Sequence, residues 1–465
     1  MSMVKTMGPG FRNLASLFIL MPVVALSCQA SSLLDYIADY ERLEYVETTA
    51  SGGEYVDTGY KPSPTDRVEK KVRFTGDTSG NQGIFCSRKT NQYNVFECML
   101  ASSYMRFDHY DSQTATPNIY HQTSSGKTEI SSGIDYEIVM DGNTKYFSLN
   151  GVVSTSTLSL TMNSATVTNF FLFTFGNNGA STGPAKSCRM YWFRVYSADG
   201  TLACSLLPVR RKADGTAGFL DHVNGRFVTA LHGDLVAGSV LTPVDYVATS
   251  SEGGEYVDTG YKPAATDRVE TKVRFMGDVS GNQGIFCSRK THIYNNFSCL
   301  LADGNMRFDH QHGNGTHNVF HQTSAGKTAI SPRVDCAIVM NGGTGKFSLN
   351  GEESTNSLLG MGSAAPIVDF WLFALLNENA PIADCYAKSC RMYYFKVYGS
   401  DGTLKSCLSP MRRRSDGTVG VYDDVRGGFA MSPVGALYAP KRGCSLSSAD
   451  LIVTVSRPWQ SATLA

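Results

Sequence analysis

Residues 136–151 have the sequence YEIVMDGNTKYFSLNG and carry the pattern of two short strands with a tight turn after each. Apolar residues concentrate in 136–140 and 145–149, and Asp141-Gly142 and Asn150-Gly151 follow the two runs. Asp-Gly and Asn-Gly tolerate the positive φ that tight hairpin turns require. The segment therefore predicts an antiparallel hairpin that ends in a further turn.

Neighbouring segments also have strand patterns. Residues 68–74 alternate apolar and charged side chains, as a half-buried strand does. Residues 170–175 are apolar on both faces, which predicts a central strand covered on two sides. Asp199-Gly200 separates 188–196 from 201–209 and predicts another hairpin. No segment of this region has the pattern of a helix of about twelve residues or more.

The sequence repeats itself over a long period. Residues 53–62, GEYVDTGYKP, recur unchanged at 254–263, and residues 80–90 recur unchanged at 281–291. A period of about 200 residues is far longer than the roughly 20–50 residues of a solenoid unit. The chain therefore contains two complete domains that arose by duplication. With roughly twelve short strands in each, we predict an all-β fold of two tandem antiparallel β-sandwich (concanavalin A-like jelly-roll) domains.

The repeats divide the chain into six predicted segments. Residues 31–43 have apolar side chains at helical spacing, and 239–244 form a short stretch that ends near a proline. The segments are a signal peptide at 1–30, a short helical or linker segment at 31–43, domain 1 at 44–238, a linker at 239–244, domain 2 at 245–439 and a C-terminal tail at 440–465.

Composition excludes several classes of protein. The 465 residues include 41 basic and 41 acidic side chains, so the formal net charge is zero, and only 18% of residues are charged. This balance provides no electrostatic footprint for nucleic acid. The 45 glycines and the 23 tyrosines and 24 phenylalanines favour short strands and turns over collagen, coiled coil or disorder.

The first thirty residues have the features of an export signal. Lys5 and Arg12 provide the positive start, and 14–26 is an apolar run too short to span a bilayer comfortably. We therefore expect a secreted or cell-surface protein without a transmembrane segment. Cys28 ends a degenerate lipoprotein box, so a lipid anchor at this residue is the alternative to simple cleavage after residue 30.

Three blocks resemble a known family. Residues 138–151, 171–173 and 190–196 are similar to strands of laminin-G-like, concanavalin A-like jelly-roll domains of the exported bacterial type, and all three recur in the second repeat. The resemblance implies binding of carbohydrate or a protein partner more often than catalysis. It also implies calcium as a cofactor, although the family's ligand aspartates find no match here.

Catalytic signatures are missing from the sequence. Related glycosidases carry a Glu-x-Asp-x-x-Glu strand, which would place its carboxylates along one face, and this chain has none. Glu54 and Asp57 are three apart, which puts them on opposite faces of a strand. Lys127 and Lys327 each follow a glycine as in a phosphate loop, but the loop's earlier glycine is absent. There is also no Gly-x-Ser-x-Gly elbow, so we predict that the protein is not an enzyme.

Sugar binding needs a flat aromatic ring beside planar hydrogen-bonding groups, and one neighbourhood of each repeat is rich in both. The candidate ligand-binding residues are Arg88, Arg106, Asp108, His109, Tyr110, Tyr120 and His121 in the first repeat and Arg289, Arg307, Asp309, His310, Gln311, Phe320 and His321 in the second.

Histidines suggest a second kind of site. His310, His312, His317 and His321 fall within twelve residues, and strand positions two apart project together, so they are candidate ligands of a transition metal. The first repeat keeps only two of the four. Polar surface histidines in a loop rich in glycine and asparagine are the alternative.

Twelve cysteines suit an exported protein. Cys86 and Cys98 alternate with apolar residues so that both are predicted on the apolar face of neighbouring strands, and Cys287 and Cys299 match them in the second repeat. We predict cross-strand disulfides Cys86–Cys98 and Cys287–Cys299, with buried free thiols as the alternative. A bridge between Cys188 and Cys204 fits poorly, because the intervening turn places Val195 opposite Cys204.

These observations predict an exported, non-catalytic protein that binds glycans or a surface partner through two domains. Duplication would supply avidity, because a second linked site binds at high effective concentration. Two alternatives remain: a structural or assembly component of a cell surface or appendage, and a divergent glycoside hydrolase whose carboxylates come from different strands.

Overall fold

The computed structural model describes residues 39–440, except for 91–92, 111–118, 159–167, 179, 292–293, 313–317, 359, 361–365, 367 and 379. The named elements of the described residues are all β-strands, and the strand pairs that join them into sheets are antiparallel. The predicted all-β class and antiparallel sandwich fold are therefore confirmed. The signal peptide, Cys28 and most of the C-terminal tail lie outside the described residues.

The chain divides into two compact units. The first comprises the residues up to 242 with 413–418 and 422–429, and the second comprises 243–412, 419–421 and the residues from 430 onward. We refer to the described residues up to 243 as domain 1 and to those from 244 as domain 2, so that each strand belongs to one domain.

Domain 1 contains 21 strands. They are β1 (Tyr40–Leu43), β2 (Val46–Glu47), β3 (Tyr55–Asp57), β4 (Arg67–Phe74), β5 (Asn81–Ser87), β6 (Val95–Ala101), β7 (Tyr104–Tyr110), β8 (Ile119–Tyr120), β9 (Gln122–Thr123), β10 (Gly126–Lys127), β11 (Asp135–Asp141), β12 (Tyr146–Leu149), β13 (Val152–Val153), β14 (Phe171–Leu172), β15 (Cys188–Tyr196), β16 (Leu202–Arg211), β17 (Ala217–Asp221), β18 (Arg226–Val228), β19 (Ala230–His232), β20 (Val236–Ala237) and β21 (Val240–Pro243).

Two of its sheets enclose the core. In the first sheet, β4 lies between β11 and β15; the order β13-β12-β11-β4-β15-β16-β17-β18 continues to both edges. The second sheet has the order β19-β3-β14-β5-β6-β7-β8. The predicted central strand is present only in part: β14 pairs with β3 on one side and β5 on the other, whereas residues 173–175 are not in a strand.

Domain 2 contains 19 strands. They are β22 (Val247–Ala248), β23 (Val257–Asp258), β24 (Arg268–Phe275), β25 (Asn282–Ser288), β26 (Asn296–Ala302), β27 (Asn305–Gln311), β28 (Val319–Phe320), β29 (Gln322–Thr323), β30 (Gly326–Lys327), β31 (Asp335–Asn341), β32 (Lys346–Leu349), β33 (Glu352–Glu353), β34 (Trp371–Leu372), β35 (Ala374–Asn377), β36 (Ala380–Tyr386), β37 (Cys390–Tyr398), β38 (Leu404–Arg413), β39 (Val419–Asp423) and β40 (Phe429–Met431).

The sheets of domain 2 follow the same plan. One contains the order β33-β32-β31-β24-β37-β38, and the other has the order β23-β34-β25-β26-β27-β28. A hairpin of β35 and β36 is added after β34. The described residues of domain 1 between β14 and β15 contain no strand, so this hairpin distinguishes the two domains.

Aromatic rings from both sheets form the centre of each core. In domain 1, Phe193 of the first sheet contacts Phe85 of the second sheet and Phe170, which immediately precedes β14 of that sheet. Both contacts are edge to face, with ring centroids 5.8 Å apart. All three rings are fully buried. Burial of a phenylalanine side chain contributes about 2–3 kcal/mol, so this cluster is a main source of cohesion between the sheets. Phe286, Phe370 and Phe395 form the matching cluster of domain 2.

The predicted hairpins are present. Ile138 pairs with Leu149 and Asp141 with Tyr146, so residues 136–151 fold back on themselves, although the positive φ of the first turn is at Lys145 and not at Asp141 or Gly142. Val195 lies opposite Cys204, as the turn between β15 and β16 predicts.

Two segments differ from their prediction. Residues 31–43 were expected to be helical or a linker, but their last four form strand β1; residues 31–38 lie outside the described part. The 239–244 linker contains strand β21, which pairs with β1 through Arg42–Leu241 and Leu43–Val240. Both segments are short, but each satisfies its backbone hydrogen bonds by pairing with the other.

The disulfide predictions are wrong. The ten described cysteines are free, and Cys86, Cys98, Cys287 and Cys299 are buried. Cys98 lies opposite Phe85 and belongs to the core, whereas Cys86 lies opposite Glu97 on the other face of the sheet. The two thiols therefore point away from each other.

A β-bulge is the physical reason. The register of β5 shifts between Gly83 and Phe85, so Ile84 and Phe85 are both buried in the core and the alternation moves by one residue. The same shift between Gly284 and Phe286 separates the matching cysteines of domain 2.

Candidate functional site

Four of the seven predicted ligand residues of domain 1 lie on β7 of the second sheet, and Arg88 immediately follows β5. Because side chains alternate along a strand, β7 presents one row to the core and one row to the outer face. Arg106, Asp108 and Tyr110 belong to the outer row. His109 belongs to the inner row and contacts Phe96 edge to face, with ring centroids 4.8 Å apart.

The outer row contains a buried cluster of opposite charges. Arg88 Nη1 donates to Glu97 Oε1 at 3.2 Å and Oε2 at 3.0 Å, and Arg88 Nε donates to the carbonyl oxygen of Gly176 at 3.2 Å. Glu97 lies directly opposite Asp108 on the neighbouring strand. Arg106 Nη2 lies 2.5 Å from Asp108 Oδ2.

The environment of this cluster governs what it can do. Burial raises the pKa of Glu97 to about 7; Arg88 opposes the rise and Asp108 adds to it. Paired carboxylates from two strands have the composition of a hydrolytic site. However, Glu97 is 1% exposed and Asp108 is 0% exposed, so a polysaccharide has no access to either carboxyl group. The cluster therefore links β6 and β7 with the residue that follows β5 on the outer face of the second sheet.

Domain 2 retains only part of this cluster. Ser298 replaces Glu97 opposite Asp309, and Arg289 Nε donates to the carbonyl of Leu376. Arg307 keeps its pair, with Nε 2.9 Å from Asp309 Oδ1 and Nη2 2.7 Å from Oδ2. Burial raises the pKa of Asp309. Gln311, the match of Tyr110, is buried on the same strand.

The exposed part of the predicted neighbourhood is a lysine over an aromatic ring. Lys127 Nζ lies 3.8 Å from the centroid of Tyr120, and Tyr104 contacts Tyr120 edge to face at 6.3 Å. Domain 2 repeats the pair, with Lys327 Nζ 3.9 Å from the centroid of Phe320. These rings are half-buried, so they offer limited surface to a ligand.

His109 and His310 are buried and are hydrogen-bonded to the backbone of their own domains. Each Nε2 hydrogen bonds a backbone carbonyl, that of Pro64 at 2.9 Å in domain 1 and that of Ala265 at 2.8 Å in domain 2. Burial lowers the pKa of His310 to about 4, so this ring is neutral near pH 7.

His121 and His321 are also buried, and their ring nitrogens make hydrogen bonds within their own domains. His121 Nδ1 contacts Oγ1 of Thr128 at 2.8 Å, and its Nε2 contacts the carbonyl oxygen of Val152 at 2.9 Å. His321 repeats both contacts. All four histidines are therefore buried and hydrogen-bonded within the protein, and their predicted role as ligand contacts stays a prediction.

The structure does not assemble the proposed histidine metal site. His310 faces the core, His321 is held by Thr328, and His312 Nδ1 contacts Asn295 Oδ1 at 2.8 Å. His317 lies outside the described residues. Within the described ranges, no group of three or more His, Cys, Asp or Glu side chains is placed to hold a metal ion.

An aromatic stack in domain 2 is the most prominent half-exposed feature of its second sheet. The rings of Tyr256 and Trp371 are parallel, with centroids 4.6 Å apart and an interplanar angle of 1°. Tyr386 continues the stack at 6.5 Å from Tyr256 and 27°. All three side chains are half-buried. We call these three residues the aromatic platform.

Three elements position the platform. Trp371 of β34 lies opposite Asp258 of β23 and Cys287 of β25, so it shares the outer face with them while Leu372 enters the core. Tyr256 immediately precedes β23, and Tyr386 ends β36 of the added hairpin.

Domain 1 has no comparable stack at the matching positions. Tyr55 and Phe171 correspond to Tyr256 and Trp371, but their centroids are 6.2 Å apart and their planes are tilted by 52°. Pro184 stands at the position of Tyr386 when the offset of 202 residues is applied. The platform is therefore a property of domain 2.

Sequence reasoning missed these residues. Alternation with Val257 and Leu372 places Tyr256 and Trp371 on the outer face, which was a usable signal. Tyr386 gave none, because the turn between β35 and β36 lacks an Asn-Gly or Asp-Gly pair.

Comparisons with known proteins add little beyond the fold. No family model matches the chain, and a search of curated proteins finds no match. Among solved structures, the chain is similar to the mouse laminin alpha1 chain, domains LG4-5, at 11% identity over 78% of this chain and 90% of that chain. The TM-score is 0.28, too low to support an inference about function. The all-β, antiparallel assignment therefore depends on the strand pairing described above.

In the part of the chain that the structure describes, no helix has the length and apolar character needed to cross a membrane.

Proposed function

We propose that the protein is an exported, non-catalytic binding protein that recognises carbohydrate through the aromatic platform of domain 2. The observation that carries this proposal is the parallel stack of Tyr256 and Trp371, half-exposed on the outer face of a rigid sheet. Export follows from the features of residues 1–30 and is part of the same proposal.

The chemistry of the platform suits a sugar ring. The face of an aromatic ring carries partial negative charge, and the axial C–H groups of a pyranose carry partial positive charge. Stacking of the two faces also removes apolar surface from water. Asp258 is exposed and lies opposite Trp371, so a carboxylate is present beside the ring to accept hydrogen bonds from hydroxyl groups.

A non-catalytic role is supported by the burial of the facing carboxylates Glu97 and Asp108. The lysine-capped rings of Tyr120 and Phe320 occur in both domains and are candidates for weaker contacts that a long glycan would add. Linked weak sites increase apparent affinity about 10²–10⁴-fold if both bind together.

A glycan array followed by titration with the best-bound soluble oligosaccharide tests the proposal. Trp371→Ala is expected to weaken binding about tenfold or more, because stacking contributes about 0.5–1.5 kcal/mol beyond the area buried. Phe171→Ala, at the matching position of domain 1, is the control and should bind like wild type.

Three results would contradict the proposal. If wild-type protein binds no glycan on the array, an assembly role without carbohydrate recognition is the better explanation. If Phe171→Ala weakens binding as much as Trp371→Ala, the platform is not the site. Hydrolysis of the bound oligosaccharide during titration would show that the protein is catalytic.

A further inference from the structure

The last described segment of domain 2 forms an edge of its first sheet. Tyr438 pairs with Ala248 of β22: its N–H donates to the Ala248 carbonyl at 2.8 Å, and its carbonyl accepts from the Ala248 N–H at 2.7 Å. Because backbone groups alternate in direction along an extended chain, Leu437 and Ala439 direct theirs to the far side. No strand of the described residues pairs with that side.

Domain 1 has the same edge in β20. Val236 pairs with Glu47 there, and this pair matches Tyr438 with Ala248 in the repeat. The residues that lead into β20 include His232 and Asp234, and both are exposed. A charged side chain on an edge opposes the addition of a further strand, so the edge of domain 1 is protected.

Domain 2 lacks this protection. At an offset of 202 residues, Val434 and Ala436 stand where domain 1 has its histidine and its aspartate. Val434 is 55% exposed and Tyr438 is 56% exposed. Residues 434–439, VGALYA, contain no charged side chain, and we call them the uncharged edge. An exposed edge of this kind is a template for another strand.

The chain itself carries a segment of the matching kind a short distance beyond. Residues 451–455, LIVTV, consist of four apolar residues and a threonine, and four of the five are β-branched. This is the composition of a strand. Asp450 precedes the run and Ser456-Arg457-Pro458 follows it, so residues typical of turns bound it on both sides. The segment lies outside the described residues.

We propose that residues 451–455 add as an antiparallel strand to the uncharged edge of their own domain. Strands that follow each other in sequence are usually neighbours in a sheet, and 451–455 is the next strand-like run after 437–439. The added strand provides partners for the backbone groups that Leu437 directs outward. It also covers the exposed side chains of Val434 and Tyr438.

The tether favours this segment over one from another molecule. The carbonyls of Ala439 and Pro440 accept hydrogen bonds from Arg412 Nη2 at 3.1 and 2.9 Å, so the start of the tail is held beside the edge. Residues 441–450 can span about 33–36 Å, which is more than a five-residue strand of about 17 Å needs to turn back along the edge. A tethered segment also has an effective concentration in the millimolar range.

Hydrogen exchange of the full chain, read by mass spectrometry, tests the proposal. Amide groups that pair in a sheet exchange more slowly than those of an unfolded chain. We expect the amides of 451–455 to exchange about tenfold or more slowly than in the denatured protein, because the strand is mostly docked. The amides of 441–447 should exchange at the denatured rate.

Variants connect the protection to the edge. Ala436→Asp gives domain 2 the charge that domain 1 carries, and it should return 451–455 to the denatured rate. Asp234→Ala, at the matching position of domain 1, is the control and should leave the protection unchanged. Val453→Pro removes an N–H from the middle of the segment and should release the same amides. Protection of β37 in each variant verifies that domain 2 stays folded.

Cross-linking identifies the molecule that donates the strand. A photoreactive benzoylphenylalanine replaces Tyr438, and isotope-labelled protein is mixed with unlabelled protein before illumination. We expect peptides that join position 438 to 451–455, with both partners labelled or both unlabelled.

Three results would overturn the proposal. The first is exchange of 451–455 at the denatured rate in the wild-type chain, which needs no variant to measure. The second is protection that survives Ala436→Asp in a folded domain. The third is a set of cross-linked pairs that join a labelled to an unlabelled peptide, which would identify a second copy of the chain as the source of the strand.

Discussion

Glu97 lies directly opposite Asp108 on neighbouring strands of domain 1, and both carboxyl groups are buried. Two acids at this separation repel each other when both are ionised. Arg88 and Arg106 offset the repulsion only in part, because burial raises the pKa of Glu97 to about 7. Domain 2 avoids the problem by placing Ser298 at the position of Glu97.

The stability of domain 1 should therefore fall as the pH rises. Glu97 has a pKa of 4.5 when unperturbed and about 7 in the folded domain, so the folded state holds its proton more tightly. The free energy of unfolding therefore decreases by roughly 3 kcal/mol as the pH rises from 4.5 to about 7, and it is constant above that range. Urea unfolding of wild type and Glu97→Gln across this range measures the difference.

Glu97→Gln mimics the protonated acid and should remove this pH dependence, which makes the variant more stable than wild type at pH 8. Ser298→Ala in domain 2 is the matched control and should leave the slope unchanged. An identical pH dependence in wild type and Glu97→Gln would contradict the prediction.

Lys70→Met should stabilise domain 1 under reducing conditions. The folded-state pKa of Lys70 is about 8 against 10.5 unperturbed, so the folded domain binds the lysine proton less tightly than the unfolded chain. Burial of the charged ammonium therefore costs roughly 3 kcal/mol of folding free energy below pH 8. This cost disappears as the pH rises to 10.5. Unfolding measured with dithiothreitol below and above this window tests both the sign and the size.

Thr271→Val serves as the control because it changes the matching position of domain 2 without a titrating group. It should cost about 1 kcal/mol for the lost hydroxyl bond at every pH. If Lys70→Met also changes the free energy of unfolding by the same amount at every pH, the cost of burying a charged group does not arise from Lys70.

The patterns of neighbouring residues predicted the strands. They did not predict the features that depend on how distant strands pair. The apolar runs of residues 136–140 and 145–149 predicted the two strands of this hairpin, whereas the Ile138–Leu149 register is known only from the structure. The bulge at Ile84 has no residue signature, and it moved Cys86 to the face opposite Cys98. Tyr256 and Trp371 meet only because β23 and β34 pair across most of domain 2.

The hydrogen-bond partners of the histidines could not be predicted from the sequence for a related reason. His109 and His121 were polar residues in a region of aromatic and charged side chains, which also describes a ligand site. Their partners are backbone carbonyls of Pro64 and Val152, and a carbonyl has no identity in the sequence.

The cysteine arrangement predicts a labelling order for domain 2. Cys385 and Cys407 are half-exposed, whereas Cys287 and Cys299 are buried. Native protein treated with iodoacetamide should modify the first two well before the others, because burial also raises the pKa of Cys287 to about 11 and disfavours its thiolate. After denaturation without reductant, all four should react. Recovery of a Cys287–Cys299 disulfide peptide would contradict the register described here.

Gly142 and Gly342 should not tolerate a side chain. A Cβ at Gly142 would lie 2.1 Å from the Pro64 carbonyl oxygen and 3.1 Å from His109 Nε2. It would therefore break the hydrogen bond that satisfies the buried histidine, which costs about 1–3 kcal/mol in addition to the steric strain. We expect Gly142→Ala to lower the free energy of unfolding of domain 1 by about 3 kcal/mol or more.

Gly151→Ala provides the comparison, because a Cβ there has open space and only the positive φ of 76° to strain it. That variant should lose about 1 kcal/mol. Chemical unfolding of both variants, with Gly342→Ala as the replicate in domain 2, measures the contrast. Equal losses for Gly142→Ala and Gly151→Ala would contradict this prediction, because they would mean that the close approach of the Pro64 carbonyl and His109 does not select glycine at position 142.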